Sequence, residues 1–450
     1  MQTLRELAAD LASGATTART LVEASLDAIG ATGGEGERAF VSVAADRARA
    51  AADGIDRIRR SGGLVPPWAG IPVAVKDLCD VAGEVTTAGS VVLADQPPAA
   101  VSAPVVARLV ASGFVVVGRT NMTEFAYSGL GLNPHHGTPA APWDRNARRI
   151  PGGSSSGSAV AVADGMAAVA LGTDTGGSCR IPAAFCGLVG YKPTAARVPL
   201  DGIVPLAPSL DSVGPIGRSV SCCAVVDDVF AGGDGTVSLD ARPAGAIRLA
   251  VPTDYVLDGL DDEVARAFQA GLERLSAAGV SIVDVPFPEL NELPTINAGG
   301  GLATAEAHHW HRELLGRVGD RYDPRVRTRI EPGALQSAAD YLDLLAARRR
   351  LIGVAARRLA GFDAFALPTV AVVPPTISSF DTDDPAYYSR MNLTCLRNTA
   401  VGNFLDACAV SIPVGRPGEA PVGLMLMGPP AGDRSLFEVA LTVEEVIGRA

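Results

Sequence analysis

Two glycine-serine segments carry the residues best suited to chemistry: Gly152-Gly153-Ser154-Ser155-Ser156-Gly157-Ser158, and Gly172-Thr173-Asp174-Thr175-Gly176-Gly177-Ser178-Cys179-Arg180. Glycine lets backbone amides approach a ligand closely and converge on one point, as an oxyanion hole requires. Thr175, Gly176, Gly177 and Ser178 fit that description, with the Ser178 hydroxyl at the same point. A serine nucleophile needs a base. The five histidines are 135, 136, 308, 309 and 311, and a serine–lysine arrangement is a known alternative to histidine.

Lysine is scarce. It occurs only at 76 and 192, so 36 of the 38 basic residues are arginine. A guanidinium does not deprotonate in proteins, so only lysine can supply a neutral amine that takes up a proton. Lys76 ends the apolar run Ile71–Lys76, where burial would hold the amine neutral. A second hydroxyl bridging nucleophile and amine would then come from the first glycine-serine loop, and Ser154, Ser155 and Ser156 are equal candidates on these grounds.

Those segments have plainer readings too. Ser178 alone suits a helix N-cap before Ile181-Pro182. Gly153–Gly157 formally satisfies G-x-S-x-G, but Pro151 and the polar residues before it do not make the buried strand of an α/β-hydrolase elbow. S-x-x-K is absent, as is the GK[ST] of a P-loop. The segment around His308 and His311 lacks HExxH, so no metal or other cofactor is expected and those histidines read as solvent-side or capping. Arg180 can pair either with a substrate carboxylate or with Asp174. Lys192, before Pro193, reads as an anchoring or ion-pairing residue.

At this point the chain resembles the amidase signature family. The resemblance rests on the Lys76 strand, on GGSSSGS (152–158) and GTDTGGSCRIPAAFCG (172–187), and on NMTEFAY (121–127), GYKPT (190–194), SLDSVGPIGRS (209–219) and PVGLMLMGPP (421–430). It implies a Ser–cis-Ser–Lys triad at Ser178, Ser154 and Lys76, with the oxyanion held by the amides of 175–178. It further implies an α/β fold, a single large mixed β-sheet core covered by helices on both faces. The implied activity is hydrolysis of the C–N bond of a small carboxamide or urea-like substrate through a Ser178 acyl-enzyme. The glutaminase component of the tRNA-dependent amidotransferase shares that triad and is the alternative. Met122, Tyr127 and Arg180 are the expected pocket residues. Residues 403–415 depart from the Gly-Leu-Pro-like pattern of many members, with Asp406 after the Asn.

The elements that must position these groups read as one α/β body over 1–450. Apolar Leu4, Leu7 and Leu11 recur at helical spacing, and residues 1–62 read as helices packed on the body. A helix at 105–111, Gly113 and the strand 114–118 form one α-to-β unit, and 167–171 reads as another strand. Residues 128–157 form a long loop, the kind that carries function in compact enzymes. A surface linker at 232–246 precedes the strand IRLAVP, a helix with Val264, Phe268, Leu272 and Leu275 on one face, and the strand VSIVDV.

Composition narrows the partners. A net charge of -11 and the lack of a basic run beyond Arg348–Arg350 exclude a nucleic-acid footprint. Seven cysteines without CxxC spacing read as buried thiols of a reducing compartment. The N-terminus has no long apolar core, and prolines interrupt 364–377, so the reading is a cytoplasmic enzyme off the membrane, acting on a small-molecule amide, with a homodimer as the one assembly considered.

Overall fold

The computed structural model describes residues 2–382, 384–416 and 418–448. Eleven strands form one sheet. In chain order they are β1 (Phe40–Val43), β2 (Pro72–Lys76), β3 (Val115–Thr120), β4 (Val169–Thr173), β5 (Val189–Lys192), β6 (Val213–Gly217), β7 (Arg248–Pro252), β8 (Ser281–Val285), β9 (Ala364–Pro368), β10 (Cys408–Pro413) and β11 (Gly423–Gly428). Their order across the sheet is β1-β3-β2-β4-β6-β5-β10-β11-β9-β7-β8. β2 runs parallel to both β3 and β4, and β7 parallel to β8 and β9, whereas the central pairs are antiparallel. The sheet is mixed.

Alternation along the strands shows why both faces must be covered. On β11, Leu424 and Leu426 pack with Phe268, Leu272 and Leu275 of the helix Asp262–Ala277. Met425 and Met427, on the opposite face, pack with Leu351 and Val354 of the helix Ala338–Leu359. Successive residues of a strand point to opposite faces, so helices flank the sheet on both sides. Every residue of β2, β3, β4 and β11 is buried, the mark of strands inside a layered α/β body.

The N-terminal segment holds helices at Leu4–Ser13, Ala18–Ile29 and Ala45–Arg60. It also holds the edge strand β1, which helical periodicity hides: four residues paired antiparallel to β3. The 232–246 segment runs mostly exposed between the helix Val220–Ala231 and β7. Across the middle of the sheet β5 pairs with β10, joining the two halves of the chain.

Candidate active site

β2 and β4 are parallel neighbours, and their C-terminal ends deliver Lys76 and Thr173 to one edge of the sheet, the edge where α/β folds place ligands. Lys76 is fully buried. Its Nζ donates to Ser154 Oγ at 2.8 Å and to Thr173 Oγ1 at 2.6 Å. Burial, unopposed by a paired carboxylate, lowers its pKa to about 8. Asp77 faces away and binds Arg119, Nε to Oδ1 at 2.7 Å.

The three candidate loop serines separate cleanly. Ser154, after a cis Gly153–Ser154 peptide, takes the Lys76 bond. Ser155 Oγ instead donates to the Thr173 carbonyl at 3.3 Å, and Ser156 Oγ is buried without a partner. Glycine at 153 is required by packing, because a Cβ there would lie 2.5 Å from the main-chain nitrogen of Gly131.

The second segment turns sharply between β4 and the helix Arg180–Phe185. Gly177 adopts φ 136, and an added Cβ would meet Thr399 Oγ1 at 2.2 Å. Among the described residues, no acceptor in the protein takes the main-chain N–H of Thr175, Gly176, Gly177 or Ser178. Four successive donors therefore stay available at one bend, a ready anion-binding concavity. Ser178 is not the N-cap; that position falls to Cys179.

Asp174 braces the bend from beneath. Its carboxylate accepts from the Cys179 amide at 3.1 Å, from Arg180 Nε at 3.0 Å and Nη2 at 2.9 Å, and from Asn403 Nδ2 at 2.9 Å. Burial alone would push this carboxyl up, but Arg180 and Asn403 outweigh it and hold it at about 2. Asp211 accepts from Thr175 Oγ1 at 2.5 Å, and Thr399 Oγ1 donates to the Gly176 carbonyl at 2.7 Å.

Above the bend opens a cavity of about 760 Å³ whose wall includes Tyr127, Thr175, Gly176, Ser178 and Leu396. Of the three expected pocket side chains only Tyr127 is there. Met122 is buried in an apolar cluster with Phe125 and Leu78. Arg180 is fully buried and committed to Asp174 and Asn403, so of its two readings the ion pair is the one formed. Lys76 and Ser154 are fully buried and do not line the cavity, and no hydrogen bond links Ser154 Oγ to Ser178 Oγ among the described residues.

Two contributors escaped the sequence reading. Thr173 precedes the glycines and resembles any strand-terminal threonine, although its position three residues from Gly176 was a usable signal. Asn403 sits 229 residues beyond Asp174, and nothing local announces it. Elsewhere, Lys192 is buried and donates to the Pro193 carbonyl at 2.6 Å. Asp406, at φ 55, accepts from the Ala195 amide at 3.0 Å. His311 is neither solvent-side nor capping: it is wholly buried among Phe125, Trp310 and Tyr322, with Nδ1 2.9 Å from the Tyr322 hydroxyl. No described cluster of His, Cys, Asp or Glu could hold a metal ion, and no described helix is long and apolar enough to cross a membrane.

Buried Lys76 with Ser154 and the glycine turn that ends on Ser178 thus meet at one edge of the sheet. The chain belongs to the amidase family, whose model matches residues 20–437. It is 39% identical over 410 residues to 2-amino-5-chloromuconic acid deaminase of Comamonas testosteroni, covering 90% of this chain and 87% of that protein. It is 36% identical to the A subunit of glutamyl-tRNA(Gln) amidotransferase from Anaeromyxobacter dehalogenans (strain 2CP-C), covering 99% and 96%. The crystal structure of an amidase superposes with a TM-score of 0.89 at 30% identity, over 99% of this chain and 100% of that one. Peptide amidase from Stenotrophomonas maltophilia gives 0.83 at 27%, over 99% and 97%. The protein is a hydrolase of carbon–nitrogen bonds acting on amides.

Proposed function

We propose that this chain cleaves a small carboxamide through an acyl-enzyme on Ser178, with Ser154 as proton relay and Lys76 as base. The observation that carries the reading is the 2.8 Å bond from buried Lys76 to Ser154, whose neighbour Ser155 donates its amide to the Ser178 carbonyl at 3.3 Å. Lowered to about 8, the amine is neutral in a useful fraction of molecules near physiological pH.

Ser178 Oγ attacks the amide carbon. Its proton passes to Ser154 Oγ as the Ser154 proton passes to Nζ, leaving an ammonium. The new oxyanion faces the amides of 175–178, donors that are already oriented and cost no reorganisation when charge develops. The C–N bond breaks, the ammonium proton returns through Ser154 to the leaving nitrogen, and ammonia or an amine departs. Water then adds to the ester by the same relay, releasing the acid and regenerating Ser178 and neutral Lys76. The missing Ser154–Ser178 bond is the one such a relay must close in the substrate complex, where catalytic bonds tighten.

Thr173 belongs to this machinery by contact. Its hydroxyl accepts from Nζ and fixes the amine toward Ser154, as the third member of a triad orients its base.

Trapping separates this mechanism from direct attack by water. Hydroxylamine added during turnover is expected to divert the acyl group to a hydroxamate in proportion to its concentration. Ammonia release with no hydroxamate at any hydroxylamine concentration overturns the acyl-enzyme. A glutaminase component of a tRNA-dependent amidotransferase is the second reading, favoured by similarity to the amidotransferase relative over 99% of the chain. Under that reading glutamine is hydrolysed and simple amides are not.

A further inference from the structure

A second concavity, of about 480 Å³, shares no lining residue with the cavity above Ser178. It lies at the end of the sheet where β1 is the edge strand, and its wall includes Ser42, Arg47, Glu84, Val85 and Arg119. The register of β1 against β3 slips between Phe40 and Ser42, and Ser42 then stands opposite Arg119 across the ladder. Bulges at sheet edges re-aim side chains, and residues opposite one another on paired strands share a face.

Arg119 is only 1% exposed. Its Nε donates to Asp77 Oδ1 at 2.7 Å and its Nη2 to Thr86 Oγ1 at 3.3 Å, whereas Nη1 is buried with no partner among the described residues. Buried donors are ordinarily taken, because an unmade bond there costs free energy. The nearby acids are committed elsewhere. Asp77 also accepts from the Thr87 hydroxyl and the Gly89 amide. Glu84 is held by Arg47, and its other oxygen stands 3.9 Å from Arg119 Nε, beyond hydrogen-bond reach.

Two further donors on the same wall are unused. Among the described residues, neither the Ser42 hydroxyl nor the Val85 main-chain N–H has an acceptor in the protein. Two guanidinium groups and one carboxylate line the concavity, in a chain whose net charge is -11. A local excess of one sign concentrates ions of the other.

We infer that this concavity is a binding site for a small oxyanion, a carboxylate or a phosphate, whose oxygens accept from Arg119, Arg47 and the Ser42 hydroxyl. The planar fork of a guanidinium matches the paired oxygens of either group. The site does not depend on the reading of Ser178 as nucleophile. It adjoins the strand of the proposed base all the same, since Asp77, which holds Arg119, follows Lys76 directly.

Calorimetric titration of the full chain at constant ionic strength tests the inference, with inorganic phosphate, with acetate, and with acetamide as the neutral counterpart of acetate. A Ser178→Ala background keeps turnover of acetamide out of the heats. At least one anion is expected to bind about 10-fold or more tightly than acetamide, and the stronger arm tells phosphate from carboxylate. Ser42 is exposed on the edge strand, so its substitution leaves the core intact. Ser42→Asp sets a carboxylate of the chain's own against Arg119 and is expected to weaken that anion by about 10–100-fold, while Ser42→Ala weakens it by about 3-fold or less. Anions that bind no better than acetamide overturn the site. So does equal binding in Ser42→Asp and Ser42→Ala, the result expected of an anion held only in the cavity above residue 178.

Discussion

At the scale of the residue, the proposed chemistry depends on keeping one amine uncharged where it is needed. Lys76 retains its charge if replaced by arginine but loses the capacity to accept a proton. Lys76→Arg is therefore expected to lower kcat by about 10³-fold or more; steady-state ammonia release checks this. The sign of the pH dependence follows from the same group. The folded pKa of about 8 lies below the ordinary lysine value of 10.5, and under the proposed mechanism the active form is the neutral one. Hence kcat/KM rises with pH through about 8 and levels off above it; a profile flat from mildly acidic to alkaline pH contradicts the assignment. Thr173 tunes the same titration. Its hydroxyl accepts from Nζ at 2.6 Å, a bond that favours the ammonium, so Thr173→Val is expected to move the rising limb to lower pH and to reduce kcat by about 10–100-fold as the amine loses its orientation.

Lys76 was legible from composition because arginine had replaced lysine nearly everywhere else, and Ser178 from the glycines before it. Ser154 was not separable from Ser155 and Ser156, because the choice is made by which hydroxyl the loop brings to an amine 78 residues earlier in the chain. Arg180 had two equal readings until its burial settled which partner it holds.

At the scale of the element, the turn between β4 and the following helix must hold four amides open. Gly177→Ala forces a side chain into Thr399 at a φ that alanine disfavours. The expected result is destabilisation by more than about 1 kcal/mol with loss of turnover, read by thermal unfolding and activity on the same preparation. Arg180 supports that turn without reaching the cavity. Arg180→Met leaves the Asp174 carboxylate buried and uncompensated, at a cost of about 3–5 kcal/mol. Asp174 is held at about 2, below the ordinary 3.8, so its contribution is present above about 3.8 and lost as pH falls toward 2. In Arg180→Met the acid-unfolding midpoint accordingly moves to higher pH. The strand–helix alternation behind these elements was readable from periodicity, whereas β1 was not, since four residues at a sheet edge leave too short a pattern.

At the scale of the whole molecule, the candidate site is assembled from both halves of the chain. Lys76, Tyr127, Ser154, Thr173 and Ser178 precede the 232–246 segment, while Leu396 and Asn403 follow it. The halves meet through the β5–β10 ladder and through the Tyr191 hydroxyl on Asp433 at 2.7 Å. A protease site engineered into 232–246 is expected, once cut, to leave two fragments that co-elute and retain most activity, because the joining surface is a continuous sheet and core rather than the linker. Fragments that separate under native conditions contradict a single body. The long-range order of the strands lay outside what the sequence pattern could disclose, since pairing between residues 190 and 411 leaves no local trace.

The most direct measurement is the site and rate of covalent capture by a serine-directed fluorophosphonate, mapped by peptide mass spectrometry. One adduct is expected, on Ser178, absent in Ser178→Ala and slowed by about 10³-fold in Lys76→Arg. An adduct on another serine, or wild-type capture rates in Lys76→Arg, contradicts the assignment of nucleophile and base.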